Sequence, residues 1–251
     1  MLYLAHPNLG ALAIPSSFSI KTPGHAELHL NTRSGSVTVI AEERDDVFAE
    51  EGASSRGPDK DATGRIAFGS AKGGSASLLV RCPSGTDLTV GTISGNVELR
   101  GQLGQARVTT VSGSVSAERA EELDVRSISG NIEVEYCSGR CSLRTKSGRA
   151  TCNSARDASV STVSGQIQLD EASGHVRAQT VSGTVHVGSQ RNSDVAVQTI
   201  SGSVKINVQA GVRPDTRARS MTGRPRIDCE PGSDCRIAVR SMSGKIEISP
   251  A

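Results

Sequence analysis

The sequence predicts an all-β chain folded as a single-stranded parallel β-helix, a β-solenoid of about nine to ten coils of 17–21 residues. Three observations lead to this prediction. The pair Ser-Gly occurs twelve times with a regular period, apolar residues alternate with polar ones around it, and only 2% of the residues are aromatic. A core without aromatic bulk has to be narrow and filled by small aliphatic side chains, as it is when one short coil repeats many times.

One glycine marks each predicted coil, and each coil corresponds to one sequence repeat. Successive glycines are 17 to 21 residues apart, and a fixed period of this kind is typical of repeat architectures. Two further Ser-Gly pairs end at Gly139 and Gly174, nine residues after a repeat glycine. A repeat therefore consists of two strands joined by turns. The repeat glycines are Gly95, Gly113, Gly130, Gly148, Gly165, Gly183, Gly202, Gly223 and Gly244.

Apolar residues occupy fixed positions when each repeat is numbered from its glycine as zero. They recur at −7, −5, −2, +2 and +4, and steps of two indicate strands whose alternate side chains point inward. The step of three from −5 to −2 predicts a bulge that keeps both of these positions inside. In the repeat of Gly202 the predicted core residues are Val195, Val197, Ile200, Val204 and Ile206.

The remaining segments are predicted to fit around this solenoid. Residues 1–23 are apolar enough to cap its N-terminal end, and residues 24–251 form the solenoid domain. An early repeat of the same phase lies within residues 26–41. Residues 50–75 are polar, rich in glycine and aperiodic, which indicates an excursion on the surface.

The repeats and their lead-in resemble a known family. The lead-in LLVRCPSGTDLTVGTISGNVEL and the T-V-S-G-x-V-x-V repeats that follow it are similar to bacterial β-strand-repeat proteins known as "putative adhesins", whose function is unknown. The resemblance extends from about residue 24 to the end of the chain. It implies a single-stranded β-helix, and it offers no catalytic residues to transfer.

Two polar columns are the candidate binding features. Position −3 is Thr or Ser in every repeat, and stacking would align these hydroxyls about 4.8 Å apart. At −4, two adjacent repeats carry an arginine, two later repeats carry Arg219 and Arg240, and a bound anion could relieve the repulsion between stacked arginines. Alternatively, the hydroxyls satisfy turn backbone groups, and Glu98, Glu133 and Glu135 compensate the arginines. The candidate residues are Thr110, Ser127, Thr145, Thr162, Thr180 and Thr199, with Arg126 and Arg144.

We find no group of residues that predicts catalysis, a metal site or a cofactor. The five histidines are scattered, and the acidic pairs fall at half-repeat turns, where charge usually serves solvation. The cysteines lack C-x-x-C spacing. Cys137, Cys141, Cys152 and Cys229 fall at inward positions, so we expect them to pack in the core as small apolar residues. The chain is therefore not expected to be an enzyme.

Composition and the chain termini narrow the expected partners and location. A net charge of +2, from 28 basic and 26 acidic residues, argues against nucleic acid. No apolar run is long enough to span a membrane, and the first residues lack a basic export region, so we expect a cytoplasmic protein.

These observations favour a non-catalytic binding or assembly module. Its partner would be another protein or a second copy, bound through an uncovered C-terminal strand at residues 245–248. A self-polymerising filament scaffold and a carbohydrate-active β-helix enzyme are the alternatives.

Overall fold

The computed structural model describes residues 16–22, 26–51, 55–60, 65–70, 77–190 and 193–251. Within these residues, seventeen strands belong to one sheet, which confirms the all-β class. The strands are β1 (Ser16–Lys21), β2 (Glu27–Thr32), β3 (Val37–Glu42), β4 (Asp46–Glu51), β5 (Ser55–Lys60), β6 (Ile66–Ser70), β7 (Leu78–Pro83), β8 (Asp87–Thr92), β9 (Val97–Thr109), β10 (Val115–Ser129), β11 (Ile132–Ala172), β12 (His175–Gln190), β13 (Asp194–Val208), β14 (Pro214–Ser220), β15 (Arg226–Ile227), β16 (Cys235–Ser243) and β17 (Ile246–Pro250).

Successive repeats stack in parallel through the middle of the chain. Val115 of β10 pairs with Val97 of β9 and with Ile132 of β11, which lie one repeat before it and one repeat after it. Strand β12 pairs with β11 and with β13 in the same way. Because equivalent positions pair, residues at one position of the repeat form a straight column along the stack.

The last repeat in sequence is not the last repeat of the stack. Strands β16 and β17, which flank Gly244, pair with β13 on one side and with β14 and β15 on the other. The repeat of Gly223 therefore covers the repeat of Gly244, although it comes earlier in the chain. The prediction that residues 245–248 form an uncovered edge for self-association is wrong for this reason.

The N-terminal end shows the same exchange of order. Strands β2 and β3 pair with β8 and β9 on one side and with β6 and β7 on the other. Antiparallel strands complete this end, where β5 pairs with β6, β4 with β7 and β1 with β4. The surface excursion predicted for residues 50–75 is wrong at β6, because Ile66 and Phe68 are buried. Residues 1–15 of the predicted cap lie outside the described residues.

The core contains four of the five predicted columns. In the repeat of Gly202, the side chains at −7, −5, +2 and +4 are buried, and Val204 is only 1% exposed. The prediction fails at −2, since Ile200 is 48% exposed. The alternation continues without a bulge through −3, so that Thr199 takes the inward place and is 6% exposed. From hydropathy alone, the aliphatic residue at −2 is expected in the core and the threonine at −3 outside it. The two-residue alternation of the strand continues to −3 and places the threonine inside instead.

The repeat glycines form a column in which there is no room for a side chain. A Cβ added to Gly165 would lie well inside the van der Waals contact distance to the carbonyl oxygen of Gly148, and the same holds for Gly183 against Gly165. The column runs Gly35, Gly95, Gly113, Gly130, Gly148, Gly165, Gly183, Gly202, Gly244 and Gly223, in the order of the stack. At Gly148 the backbone φ of 131° adds a second requirement for glycine.

Neighbouring positions in one repeat provide a test of this register. Val204→Asp places an unpaired carboxylate in the dry core and should lower the free energy of unfolding by about 3–5 kcal/mol or prevent folding. Ile200→Asp adds the same charge at the outward position −2, and should cost less than about 1 kcal/mol. Urea unfolding of both variants checks the difference. Equal destabilisation would contradict the observed register.

Candidate binding groove

The three residues before the glycine build a groove along one corner of the stack. Positions −4 and −2 face outward, and position −3 is buried between them. In the five repeats from Gly148 to Gly244, these positions line a cavity of about 550 Å³, which we call the corner groove. Its floor is Thr145, Thr162, Thr180, Thr199 and Ser241, its polar wall is Ser161, Gln179, Gln198 and Arg240, and its apolar wall is Val163, Val181, Ile200 and Met242. Four repeat spacings give it a length of about 19 Å.

The hydroxyls of the groove floor are buried, and most of them are unpaired. Thr145 donates a hydrogen bond to the carbonyl oxygen of Ser147 at 3.0 Å. The hydroxyls of Thr162, Thr180, Thr199 and Ser241 have no hydrogen-bond partner in the described part of the chain. The expectation that this column satisfies turn backbone groups therefore holds for Thr145 and fails for the other floor residues. Leaving a buried hydroxyl without a partner costs about 1–3 kcal/mol, so these positions do not serve stability.

The apolar wall belongs to a long exposed aliphatic column. Within the groove its residues are 43–52% exposed, and beyond the groove the column continues with Val111 and Ile128 at similar exposure. Lys146, which is also exposed, interrupts it once. Soluble monomers rarely present aliphatic residues in such a continuous row unless the surface binds something. This wall could not be predicted from the sequence, because hydropathy places the same residues in the core.

The polar wall offers amides at its centre and a guanidinium at one end. Gln179 and Gln198 pair in register on β12 and β13, and their side-chain amides lie 3.2 Å apart, within hydrogen-bond distance. Arg240 follows them in the next repeat of the stack, where it pairs in register with Gln198. An amide can both donate and accept, so this wall suits a ligand that carries polar groups of both kinds.

The structure separates the predicted site residues into two groups. Thr145, Thr162, Thr180 and Thr199 lie on the floor of the groove, whereas Thr110 and Ser127 are buried in repeats beyond its end. Arg126 and Arg144 pair in register, as predicted. The carboxylate that compensates Arg126 is Asp124, at 3.1 Å. The expected partner Glu98 instead binds Arg100 at 2.7 Å.

The cysteines lie at the core positions that the repeat predicts. Cys137, Cys141 and Cys152 are fully buried, and Cys229 is half-buried. The sulfur atoms of Cys141 and Cys152 are 4.0 Å apart. Burial raises the pKa of the Cys82 thiol to about 11, and a hydrogen bond from Cys141 lowers the pKa of Cys137. Within the described residues, no three His, Cys, Asp or Glu side chains converge on a metal position.

No helix in the described part of the chain has the length and apolarity that crossing a bilayer requires.

The family follows from the sequence match. The model of the Toastrack DUF4097 family matches residues 25–249. The chain belongs to the Toastrack DUF4097 family. Solved structures similar to this Toastrack chain include a "putative adhesin" from Bacteroides fragilis, which is 11% identical, covers 95% of this chain and 97% of its own length, and has a TM-score of 0.49.

Two further solved structures are similar to the Toastrack chain. A "putative adhesin" from Parabacteroides distasonis is 10% identical, covers 96% of this chain and 98% of its own, and has a TM-score of 0.39. A "putative cell adhesion protein" from Clostridium sporogenes is 10% identical, with coverages of 95% and 100% and a TM-score of 0.29. The comparison with curated proteins finds no match. The family assignment, which confirms the resemblance seen in the repeats, depends on the sequence match.

The groove floor predicts an unusual pair of stability changes. Thr180→Val replaces an unpaired buried hydroxyl with a methyl group of the same shape, and should raise the free energy of unfolding by about 1 kcal/mol. Thr145→Val removes a hydroxyl that is hydrogen-bonded, and should lower it by about 1 kcal/mol. Chemical denaturation of the two variants measures both. Destabilisation by Thr180→Val would show that its hydroxyl already has a partner.

Proposed function

We propose that this Toastrack domain is a single-stranded parallel β-solenoid of nine to ten coils that acts as a non-catalytic binding module. The parallel register between residues one repeat apart supports the solenoid. So does the column of glycines in contact from one repeat to the next. In this proposal the rigid stack is a scaffold, and the corner groove is its binding surface.

One observation carries the proposal of binding. Two glutamine amides and a guanidinium form the polar wall of one groove, and each of them would gain a hydrogen-bond partner from a ligand that offered donors and acceptors along the groove. The exposed aliphatic wall beside them would be removed from water by the same ligand. Polar and apolar parts of the surface therefore favour the same bound state.

The composition of the groove supports binding rather than catalysis. Among the described residues that line it, Arg240 is the one charged side chain, and a guanidinium stays protonated at neutral pH and cannot act as a general base. Cleavage of glycosides commonly uses a pair of carboxyl groups, and the residues that line the groove include no carboxylate. This argues against the carbohydrate-active alternative at this site.

The ends of the stack lend little support to a filament. At the C-terminal end, the outer strands are β14, which begins at Pro214, and β15, which has two residues and whose Arg226 is paired with Asp228 at 2.8 Å. At the N-terminal end, antiparallel strands occupy the outer position. Short strands, charges and covering strands are features that discourage edge-to-edge pairing. We therefore assign partner binding to the corner groove rather than to an end.

Site-specific crosslinking in the native cell tests this function. A photoreactive amino acid at Gln198, on the polar wall, should give a discrete adduct. The same substitution at Gln168, on the outward side of the second strand of a repeat, should give none. Val181→Asp, introduced beside the reactive group at Gln198, should abolish the adduct by charging the apolar wall. Adducts of equal yield at both positions would contradict a ligand in the groove.

A further inference from the structure

Charged residues are sorted by column onto two opposite sides of the stack. The outward positions −6 and −4 carry seven arginines and one carboxylate, Asp124. The outward positions +3 and +5 carry seven carboxylates and three basic residues. Although the net charge is only +2, the charges are unevenly distributed, so that the stack has a basic face and an acidic face. The seven arginines are Arg107, Arg126, Arg144, Arg177, Arg217, Arg219 and Arg240.

Four of these arginines bracket the corner groove. In the column at −4, Arg126 and Arg144 pair in register before the groove begins, and Arg240 and Arg219 pair in register where it ends. Neutral residues occupy the three repeats between them, namely Ser161, Gln179 and Gln198. The groove is thus a neutral channel with a pair of guanidinium groups at each end.

Three of these guanidinium groups are without a carboxylate partner. The described residues include no ion pair of Arg144, Arg219 or Arg240, and all three are exposed. Arg126 alone has one, with Asp124 at 3.1 Å. Two arginines in register repel each other unless an anion lies between them. Each end of the groove therefore has guanidinium groups that can bind a negatively charged group.

Two-fold association of two copies through their grooves does not fit this pattern of charge. A two-fold pairing of two grooves brings the Arg126–Arg144 end of one copy against the Arg240–Arg219 end of the other. Like charges then meet at both ends of the interface, and such contacts oppose association. The partner must instead be negative at its two ends.

We infer that the corner groove binds an extended acidic segment of another protein, with carboxylates at both ends and an aliphatic centre. The inference deepens the proposed binding function and depends on it. Four repeat spacings separate Arg144 from Arg240, about 19 Å. An extended chain covers this distance with about six residues at ~3.3 Å each. Its backbone amides can hydrogen-bond the side-chain amides of Gln179 and Gln198 on the polar wall, and its aliphatic side chains pack on the wall of Val163, Val181 and Ile200.

The test is fluorescence anisotropy with a defined peptide and the full chain. The probe is a labelled peptide of three Val-Thr pairs with two glutamates on each side, and its control has the same composition with the glutamates in the middle. Arg144→Glu and Arg240→Glu should each weaken binding of the probe about tenfold. Arg119→Glu is the matched control, because Arg119 is an exposed arginine at the other corner of the repeat with no ion pair in the described chain. It should leave the affinity within about twofold.

The outcomes separate this inference from the proposed function. The acidic partner is supported if the chain binds the flanked probe more tightly than its control peptide, and if Arg144→Glu and Arg240→Glu weaken this binding while Arg119→Glu does not. If Val181→Ser weakens binding and the arginine variants do not, the groove remains the site and the acidic partner is wrong. If none of these variants weakens binding, both are wrong. Tighter binding of an alginate oligosaccharide or a single-stranded oligonucleotide than of the flanked probe would also overturn a protein partner.

Discussion

Contact between glycines in neighbouring repeats is the constraint on which the rest of the structure depends. At each repeat glycine the backbone lies so close to the glycine carbonyl before it that no Cβ fits between them. This contact holds the corners of the repeats in register, so that positions −7 to +4 of β11, β12 and β13 pair with the same positions of the neighbouring repeat. Columns of equivalent residues follow directly: aliphatic ones inside, hydroxyls at the corner, and charges sorted onto the two outer faces.

The corner is also where the fold retains features that do not serve its own stability. The aliphatic core at −7, −5, +2 and +4 is ordinary and complete, with Val197, Val204 and Ile206 fully buried. Beside it, unpaired hydroxyls are buried and aliphatic side chains are exposed, which is the reverse of what stability favours. Both departures occur at adjacent positions of the same repeats and line one groove. In the proposed function, a ligand lying in the groove would remove the exposed aliphatic wall from water.

The sequence predicted the repeat and most of the core, because period and alternation are local properties. The prediction was wrong about the residues at −2 and −3. Hydropathy does not show whether a strand bulges or continues, and it predicts that a valine is buried rather than the threonine beside it. The prediction also missed the exchange of order at the two ends. Strand pairing there joins β13 to β16 across the intervening repeat of Gly223, and no local pattern distinguishes this from consecutive stacking. The four arginines at −4 could be found from the sequence, whereas their pairing at the two ends of one groove depends on the order of the stack.

The glycine contact itself can be tested by unfolding a single variant. Gly165 has a neighbouring carbonyl oxygen where its Cβ would be, so Gly165→Ala has to displace backbone between two repeats. We expect it to lower the free energy of unfolding by about 2–4 kcal/mol. Ser164→Ala, one residue away and exposed, is expected to change it by less than about 0.5 kcal/mol. If Gly165→Ala unfolds at the same denaturant concentration as Ser164→Ala, close glycine stacking does not hold the repeats together.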